Sequence, residues 1–371
     1  MTVKIDAVEL IVLQLPYVHF FETSFGREFD RRFILVKVRA EGLVGWGECV
    51  AAEKPLYSEE TTETNWHILK DFLVPALFKK GTSDPAEFHR AVRPFRGNPM
   101  AKSGLELALW DLQAKAQGVP LKAVYGGTQD EIVAGVSVGI EDTLDDLTAR
   151  IDGYLREGYR RVKIKIKPGW DVEACAAVRR RFPDILLQVD ANGAYTLADA
   201  DRLAKLDDFN LLLIEQPFPP FDLWDHSRLQ PRLKSPLCLD ESILDEVTAR
   251  QALEMGACRI INIKVGRVGG PVVARGIHDL CAEKGIPVWC GGMLESGIGR
   301  AHNLHLASLP NFKLPADLSA SKRYYRQDLI DPEVELTSRG TVMVPTGPGI
   351  GVNPVEKRIE AATLRKQVFK P

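Results

Sequence analysis

Five charged residues recur along this chain at nearly one interval: Lys165, Asp190, Glu215, Asp240 and Lys264, in steps of 25, 25, 25 and 24 residues. Each closes a short apolar run rich in β-branched residues, namely VKIK, LLQVD, LLLIE, LCLD and IINIK. A segment of about 25 residues is the length of one strand, one helix and their two connections. In a βα barrel the C-terminal strand ends share one face, so the spacing predicts five side chains converging on one mouth. Three carboxylates so close repel and raise one another's pKa unless a cation neutralises them. A single acidic strand end is ordinarily solvated or caps the next helix; three in register, each ending an apolar strand, read as metal ligands. An all-oxygen set suits Mg²⁺, with Mn²⁺ or another divalent ion as the alternative. No His or Cys stands at an equivalent position, which argues against zinc.

Two amines flank the carboxylates. Lys163 and Lys165 form a K-x-K on one strand, and alternation turns both side chains to the interior face. With Arg160, Arg161 and Lys167 nearby, K-x-K alone reads as a basic strand end; Lys264 in register turns the balance to function. Two amines beside a cation are expected to depress each other's pKa, to roughly 7–8, where a lysine accepts a proton at neutral pH. A carboxylate substrate that chelates the metal has an acidified α-proton, because the cation stabilises the ene-diolate left behind. One lysine takes that proton. The other returns one on the opposite face, or steadies the intermediate while a β-leaving group departs. Asn192 is placed either to bridge a metal-bound water or simply to make the DANGAY turn, and Glu241 to hydrogen-bond neighbouring ligands.

These side chains need a frame, and the chain carries two patterns. Residues 3–15 read as a strand, and 33–50 as two strands joined at Ala40–Gly42. Helices are expected from Ser58 to about Val74 ahead of Pro75, from Asp84-Pro85, and from Met100 to Gln117, the last strongly amphipathic. Strands followed by helices predict an α+β domain over 1–125. From Ile132 the two alternate, with strands at 132–138, 161–166, 185–190, 211–215, 236–240, 259–264, 286–290 and 312–316. Helices lie between them, as at 143–157, 171–181, 197–205 and 246–255. Eight strands with an unusual last connection predict an α/β fold, a modified TIM barrel of (β/α)7β type, over 126–319. After Asp317 the pattern breaks. Short strands near 333–336 and 341–344 lead to the Gly-Pro-Gly-Ile-Gly turn, and the tail, about 320–371, is expected to return and complete the first domain as a cap.

The bulk numbers narrow the class. A net charge of −2 with both signs interspersed suggests neither nucleic acid nor an anionic membrane as partner. The Met-Thr-Val-Lys start has no apolar leader run, and no stretch reaches membrane-spanning length. Six scattered cysteines without a C-x-x-C pair read as reduced core residues, which places the chain in the cytosol. The glycines of GGMLESGIGR do not follow a strand–turn–helix phosphate pattern. His19 and His226 read as loop or surface residues, His302 and His305 as packing or capping, and Trp289 as a candidate pocket wall.

The motifs K-x-K at 163–165, DAN at 190–192, EQP at 215–217, DES at 240–242 and NIKVGRVGG at 262–270 resemble the enolase superfamily. They are most similar to its muconate-lactonizing-enzyme-like subgroup, which has a lysine on each face of the site. The resemblance covers essentially the whole chain, including FETSFG (21–26), GWGE (45–48), MAKS (100–103), KPGWD (167–171) and WCGGMLESGIGRAHN (289–303). These segments look most like those of o-succinylbenzoate synthases of menaquinone biosynthesis that also racemise N-acylated, typically N-succinylated, amino acids. A lysine base working against a metal-stabilised ene-diolate is that superfamily's common chemistry. The resemblance implies Lys165 and Lys264 as the acid/base pair, Lys163 beside them, and Mg²⁺ on Asp190, Glu215 and Asp240. It implies cap loops at Thr23, Ser24 and Phe25 and near Cys49–Tyr57, closing over a small carboxylate. Ser137, Asn192, Met293, Glu295 and Asp317 would face the substrate, and a homo-oligomer is expected. One departure is LPADLS (314–319), where relatives often have Gly-Asp in place of Ala316-Asp317. Dipeptide epimerases carry D-x-D where this chain has Asp317-x-Ser319, which weakens a dipeptide reading. Muconate-cycloisomerase-like and dipeptide-epimerase-like activities are the alternatives within the class; a barrel that binds without catalysis is the alternative outside it.

Overall fold

The computed structural model describes residues 3–81 and 83–371; Met1 and Thr2, of the Met-Thr-Val-Lys start, lie outside them. The chain opens on three antiparallel strands, β1 (Ile5–Thr23), β2 (Gly26–Ala40) and β3 (Leu43–Cys49). The β2–β3 turn is where the sequence places it: Glu41 and Gly42 both have positive φ, 49° and 80°, the backbone of a tight hairpin. β1 runs on past residue 15 because β2 is long enough to pair with it, across an irregularity after Pro16, as far as Thr23 opposite Gly26. Ser24 and Phe25 are thus the tip of a hairpin.

Five helices follow: α1 (Thr62–Ile68), α2 (Val74–Lys80), α3 (Pro85–Val92), α4 (Pro99–Ala116) and α5 (Leu121–Tyr125). The first begins at Thr62 and not at Ser58, since Thr61 forms the capping box with Thr64. Pro75 does not stop it. A π-turn over Leu69–Leu73 joins α1 to α2, and Pro75 falls in the first turn of α2, where its missing N–H matters least. The amphipathic reading of α4 fails in a useful way: it is buried around most of its circumference, Glu106 and Asp111 included. Its approach to β3 is so close that a Cβ on Gly45 or Gly47 would lie 2.1 Å from the carbonyl oxygen of Ala108 or Gly104. GWGE is a strand made to lie against a helix.

The barrel follows: β4 (Glu131–Val133), β5 (Gly135–Val138), α6 (Leu144–Glu157), β6 (Arg161–Lys165), α7 (Val172–Arg181), β7 (Leu186–Asp190), α8 (Ala200–Ala204), β8 (Ile214–Glu215), α9 (Leu223–Leu229), β9 (Leu237–Leu239), α10 (Glu246–Glu254), β10 (Ile260–Ile263), α11 (Val265–Val268), α12 (Pro271–Glu283), β11 (Val288–Cys290) and α13 (Gly297–Ala307). Strands β5 to β11 form one seven-stranded sheet in sequence order, with every pair parallel. The strand expected over 132–138 divides at Ala134, since β4 pairs outward with a tail strand while β5 enters the barrel. No regular strand forms at 312–316. That segment closes the ring through single bridges, Val288 to Phe312 and Ala134 to Ala316. Pro315, without an N–H, interrupts any longer ladder there.

The tail carries β12 (Ile330–Asp331), β13 (Thr341–Met343), β14 (Asn353–Pro354), α14 (Glu356–Ala362) and β15 (Thr363–Phe369). Residues 333–336 are not a strand, because the Val334 N–H is taken by Ser321 Oγ. β15 pairs antiparallel with β1, giving the first sheet the order β15-β1-β2-β3. One apolar cluster lies between this sheet and α1–α4, and a larger one surrounds the barrel. All six cysteines are free and buried. Among the described residues no helix is long and apolar enough to cross a membrane.

Candidate active site

Parallel pairing fixes the register of the charged strand ends: Lys165 lies opposite Asp190, and Asp190 opposite Glu215. Glu215 pairs with Cys238, so Asp240 sits two residues further on, on the same face, as barrel stagger requires. Oxygens of Asp190, Glu215 and Asp240, all buried, lie within 4.8 Å of one another. This donor set fits a hard divalent cation. Beside it, Glu241 Oε2 is buried with no hydrogen-bond partner.

A lysine addresses each carboxylate. Lys165 Nζ donates to Asp190 Oδ2 at 2.6 Å and to Asn192 Oδ1 at 2.7 Å. Lys163 Nζ lies 3.0 Å from Glu215 and 2.6 Å from Asp317. Lys264 Nζ reaches Asp240 Oδ2 at 2.8 Å from the far side. Burial alone would raise the Asp190 pKa, but the charges of Lys165 and Lys163 outweigh it and bring it down to about 2. Burial, then the charge of Asp190, pushes Glu215 upward. Burial works against the charged form of Lys163, but Asp317, Glu215 and Asp190 more than offset it and hold the amine above the usual lysine range. Burial works against Lys264 too, but Tyr57, then Glu241, Glu215 and Asp190, hold it above that range. The expectation that neighbouring amines depress one another therefore does not describe Lys163; carboxylates, not amines, are its nearest charges.

Several groups that hold this array escaped the sequence reading. Arg267, on α11, donates to Asp240 Oδ1 and to the Asn262 and Ile243 carbonyls. Asn262 Nδ2 donates to Glu215 Oε1 at 2.7 Å. Gln216 Oε1 accepts from the Asp240 and Ser242 amides, fixing the turn after β9. Arg161, fully buried, donates to Asp317 Oδ1 at 2.6 Å and to the Pro315 carbonyl at 3.0 Å. The signal for two of them was present as alternation: Arg161 precedes Lys163, and Asn262 precedes Lys264, by two residues on a strand.

A cavity, part of it open to solvent, lies between the barrel mouth and the first sheet, beside the lysines that bind the triad. Thr23, Phe25, Tyr57, Ser137, Asn192, Met293 and Asp317 line it together with all three lysines. Tyr57 comes from the loop after β3 and donates to Asp240 Oδ1 at 2.9 Å. Asn192, with φ at 44°, binds Lys165 through Oδ1 and Glu241 through Nδ2. Two expected wall residues are elsewhere. Ser24 turns its hydroxyl to the Asn192 carbonyl, and Glu295 accepts from Asn303 on α13. Trp289 is not in the wall either; it is fully buried, with its ring 4.8 Å from Lys163 Nζ. His226, expected near the surface, is buried and accepts from the Phe218 amide. His302 and His305 bond the carbonyls of Trp46 and Ile350, a packing role.

Residues 7–126 match the family described as mandelate racemase / muconate lactonizing enzyme, N-terminal domain, and residues 146–358 the enolase C-terminal domain-like family. By these two matches the chain belongs to the enolase superfamily. It is 54% identical to an o-succinylbenzoate synthase of Geobacillus kaustophilus, over 100% of this chain and 98% of that protein. An N-succinylamino acid racemase of an Amycolatopsis species is 49% identical over 98% of both chains. The crystal structure of an enolase-superfamily protein from Listeria innocua has a TM-score of 0.95 at 39% identity over 99% of each chain.

Proposed function

We propose that this enzyme removes the proton α to a carboxylate and uses the product in two ways: dehydration to o-succinylbenzoate and racemisation of N-succinylamino acids. The observation that carries the reading is the placement of Lys165 and Lys264 against opposite ends of the carboxylate triad, at Asp190 and Asp240. In this reading Asp190, Glu215 and Asp240 hold Mg²⁺, with Mn²⁺ as the substitute. A divalent cation there supplies positive charge that acidifies the α-proton of a coordinated carboxylate. Lys165 takes the proton of one enantiomer, and Lys264 gives a proton to the other face. Racemisation needs both. In dehydration the β-hydroxyl leaves as water, and one lysine serves first as base and then as acid. Lys165 is our candidate, while the Lys264 ammonium offsets the charge that builds on the carboxylate. Lys163, bound to Glu215 and Asp317, positions those carboxylates.

Names given to relatives at 45–54% identity support both activities. A dipeptide epimerase is disfavoured because Ser319 stands where the second carboxylate of D-x-D would pair with a substrate ammonium, and Asp317 already accepts from Arg161, Lys163 and Ser137. We place the cap at 1–125 with about 320–371, the barrel at 126–319, and the enzyme in the reducing cytosol. The test is a side-by-side assay with Mg²⁺, using the cyclohexadiene precursor of o-succinylbenzoate and a panel of N-succinylamino acids. Turnover of neither, with turnover of a muconate or a dipeptide, would sink the proposal.

A further inference from the structure

We infer that Arg31 binds the second carboxylate of the substrate, at the far end of a succinyl chain; this rests on the function proposed above. Arg31 stands on β2 with 4% of its surface exposed, in the wall shared by the catalytic cavity and the groove beside the first hairpin. The one hydrogen bond of its side chain among the described residues runs from Nη2 to the Val50 carbonyl. No carboxylate of the described residues lies within 4.0 Å of its guanidinium. The other buried cations in the cavity wall are matched: Lys163 to Glu215 and Asp317, Lys165 to Asp190, Lys264 to Asp240. Glu28 and Glu48 act on Arg31 only at longer range, and the Glu48 carboxyl is bound to Ser296 and Gly299.

A guanidinium taken out of water without a counter-anion is costly, and a fold that keeps one beside a cavity has placed a receptor for an anion there. Its planar fork fits a carboxylate, which would accept the N–H groups that find no protein oxygen. Two neighbours point the same way. The Tyr17 hydroxyl, within the field of Arg31, is buried without a hydrogen-bond partner. Lys54, on the loop after β3, lines the same two cavities and adds a positive charge that balances Glu28, which also lines both. The reacting carboxylate belongs at the triad, so a ligand spanning the cavity to Arg31 carries two carboxylates. The substrates of both proposed activities do so, because each bears a succinyl chain.

The decisive comparison uses the wild-type enzyme and one amino acid in three forms: N-succinylphenylalanine, its terminal succinamoyl amide, and N-acetylphenylalanine. Deuterium exchange at the α-carbon should proceed with all three. The value of kcat/KM should be about 10–100-fold higher for the succinyl form, with the difference carried by KM because Arg31 does not touch the reacting atoms. Arg31→Met should lose that preference while keeping its exchange rate on the N-acetyl form, and Arg31→Lys should restore part of it. Equal kcat/KM for the acid and its terminal amide in the wild type would overturn the assignment while leaving the proposed function standing. Exchange with none of the three would overturn both. The wild-type series holds even if Arg31→Met fails to fold.

Discussion

Lys165 and Lys264 make their contacts at opposite ends of the carboxylate triad, 2.6 Å from Asp190 and 2.8 Å from Asp240. Two bases on opposite faces of one α-carbon each see only one enantiomer's proton. In D₂O, Lys264→Ala should therefore wash deuterium into the enantiomer that faces Lys165 without inverting it, and Lys165→Ala should show the mirror behaviour. Both variants should lose racemisation by several orders of magnitude. Exchange into both enantiomers by either single-lysine variant would contradict the two-faced arrangement. The triad responds differently. Asp190→Asn or Glu215→Gln should abolish turnover while preserving the circular dichroism of the fold, since several kcal/mol of transition-state stabilisation goes with the ligand.

At the scale of elements, the irregular eighth position of the barrel is held by side chains where the ladder is broken. Arg161 fills the space beside β5 and binds both Pro315 and Asp317, so it fastens residues 312–317 to β6. Gly135 leaves it room: a Cβ there would lie 2.1 Å from the guanidinium carbon. Gly135→Ala should cost about 1–3 kcal/mol in urea denaturation, the range for overpacking a dense core. A Gly135→Ala protein of wild-type stability would show that Arg161 can move aside.

A second element-scale device joins the first sheet to the barrel. Glu48, at the end of β3, accepts from the Ser296 and Gly299 amides and the Ser296 hydroxyl at the start of α13. Burial pushes its pKa from 4.5 up to about 8, and burial likewise pushes Glu60, which binds the first amides of α4, up to about 7. Both folded-state values lie above the ordinary one. The folded protein therefore holds protons that the unfolded chain has released, and stability contributed below pH 4.5 is lost as pH rises through about 7 to 8. The urea midpoint should fall across that window, and Glu48→Gln, which cannot ionise, should fall less. An equal fall in both proteins would remove Glu48 as a source of the effect.

Over the whole molecule, the catalytic chamber belongs to neither part of the fold alone. The barrel brings the lysines and carboxylates, while β1–β3 and the loop after β3 bring Thr23, Phe25, Arg31 and Tyr57. Tyr57 donates to Asp240 of the carboxylate triad, so order at the triad and order in that loop are linked. A cation that binds only the folded protein stabilises it by about 2.7 kcal/mol at a hundredfold excess over its Kd. The melting temperature should accordingly rise with Mg²⁺ and fall back with a chelator. Asp190→Asn should be nearly insensitive to both, and a Mg²⁺ response equal to that of the wild type would mean that the ion binds elsewhere.

Much of this could be read from the chain because a βα repeat writes its geometry into linear spacing. The 25-residue steps put Lys165, Asp190, Glu215, Asp240 and Lys264 on one face, and K-x-K alternation turned Lys163 with them. Turn and cap chemistry is local as well, so the Glu41-Gly42 hairpin and the starts of α3 and α6 followed from a few adjacent residues. What tertiary structure decided depends on partners distant in sequence. Only the packing of α4 against Gly45 and Gly47 makes that helix buried nearly all round, where its own pattern reads as one-sided. Only pairing across the barrel splits residues 132–138 between two sheets and reduces 312–316 to single bridges. The charge state of Lys163 and the missing counter-ion of Arg31 were equally out of reach. A side chain's charge state depends on how far each charged group lies from it and how deeply both are buried, and spacing along the chain gives neither.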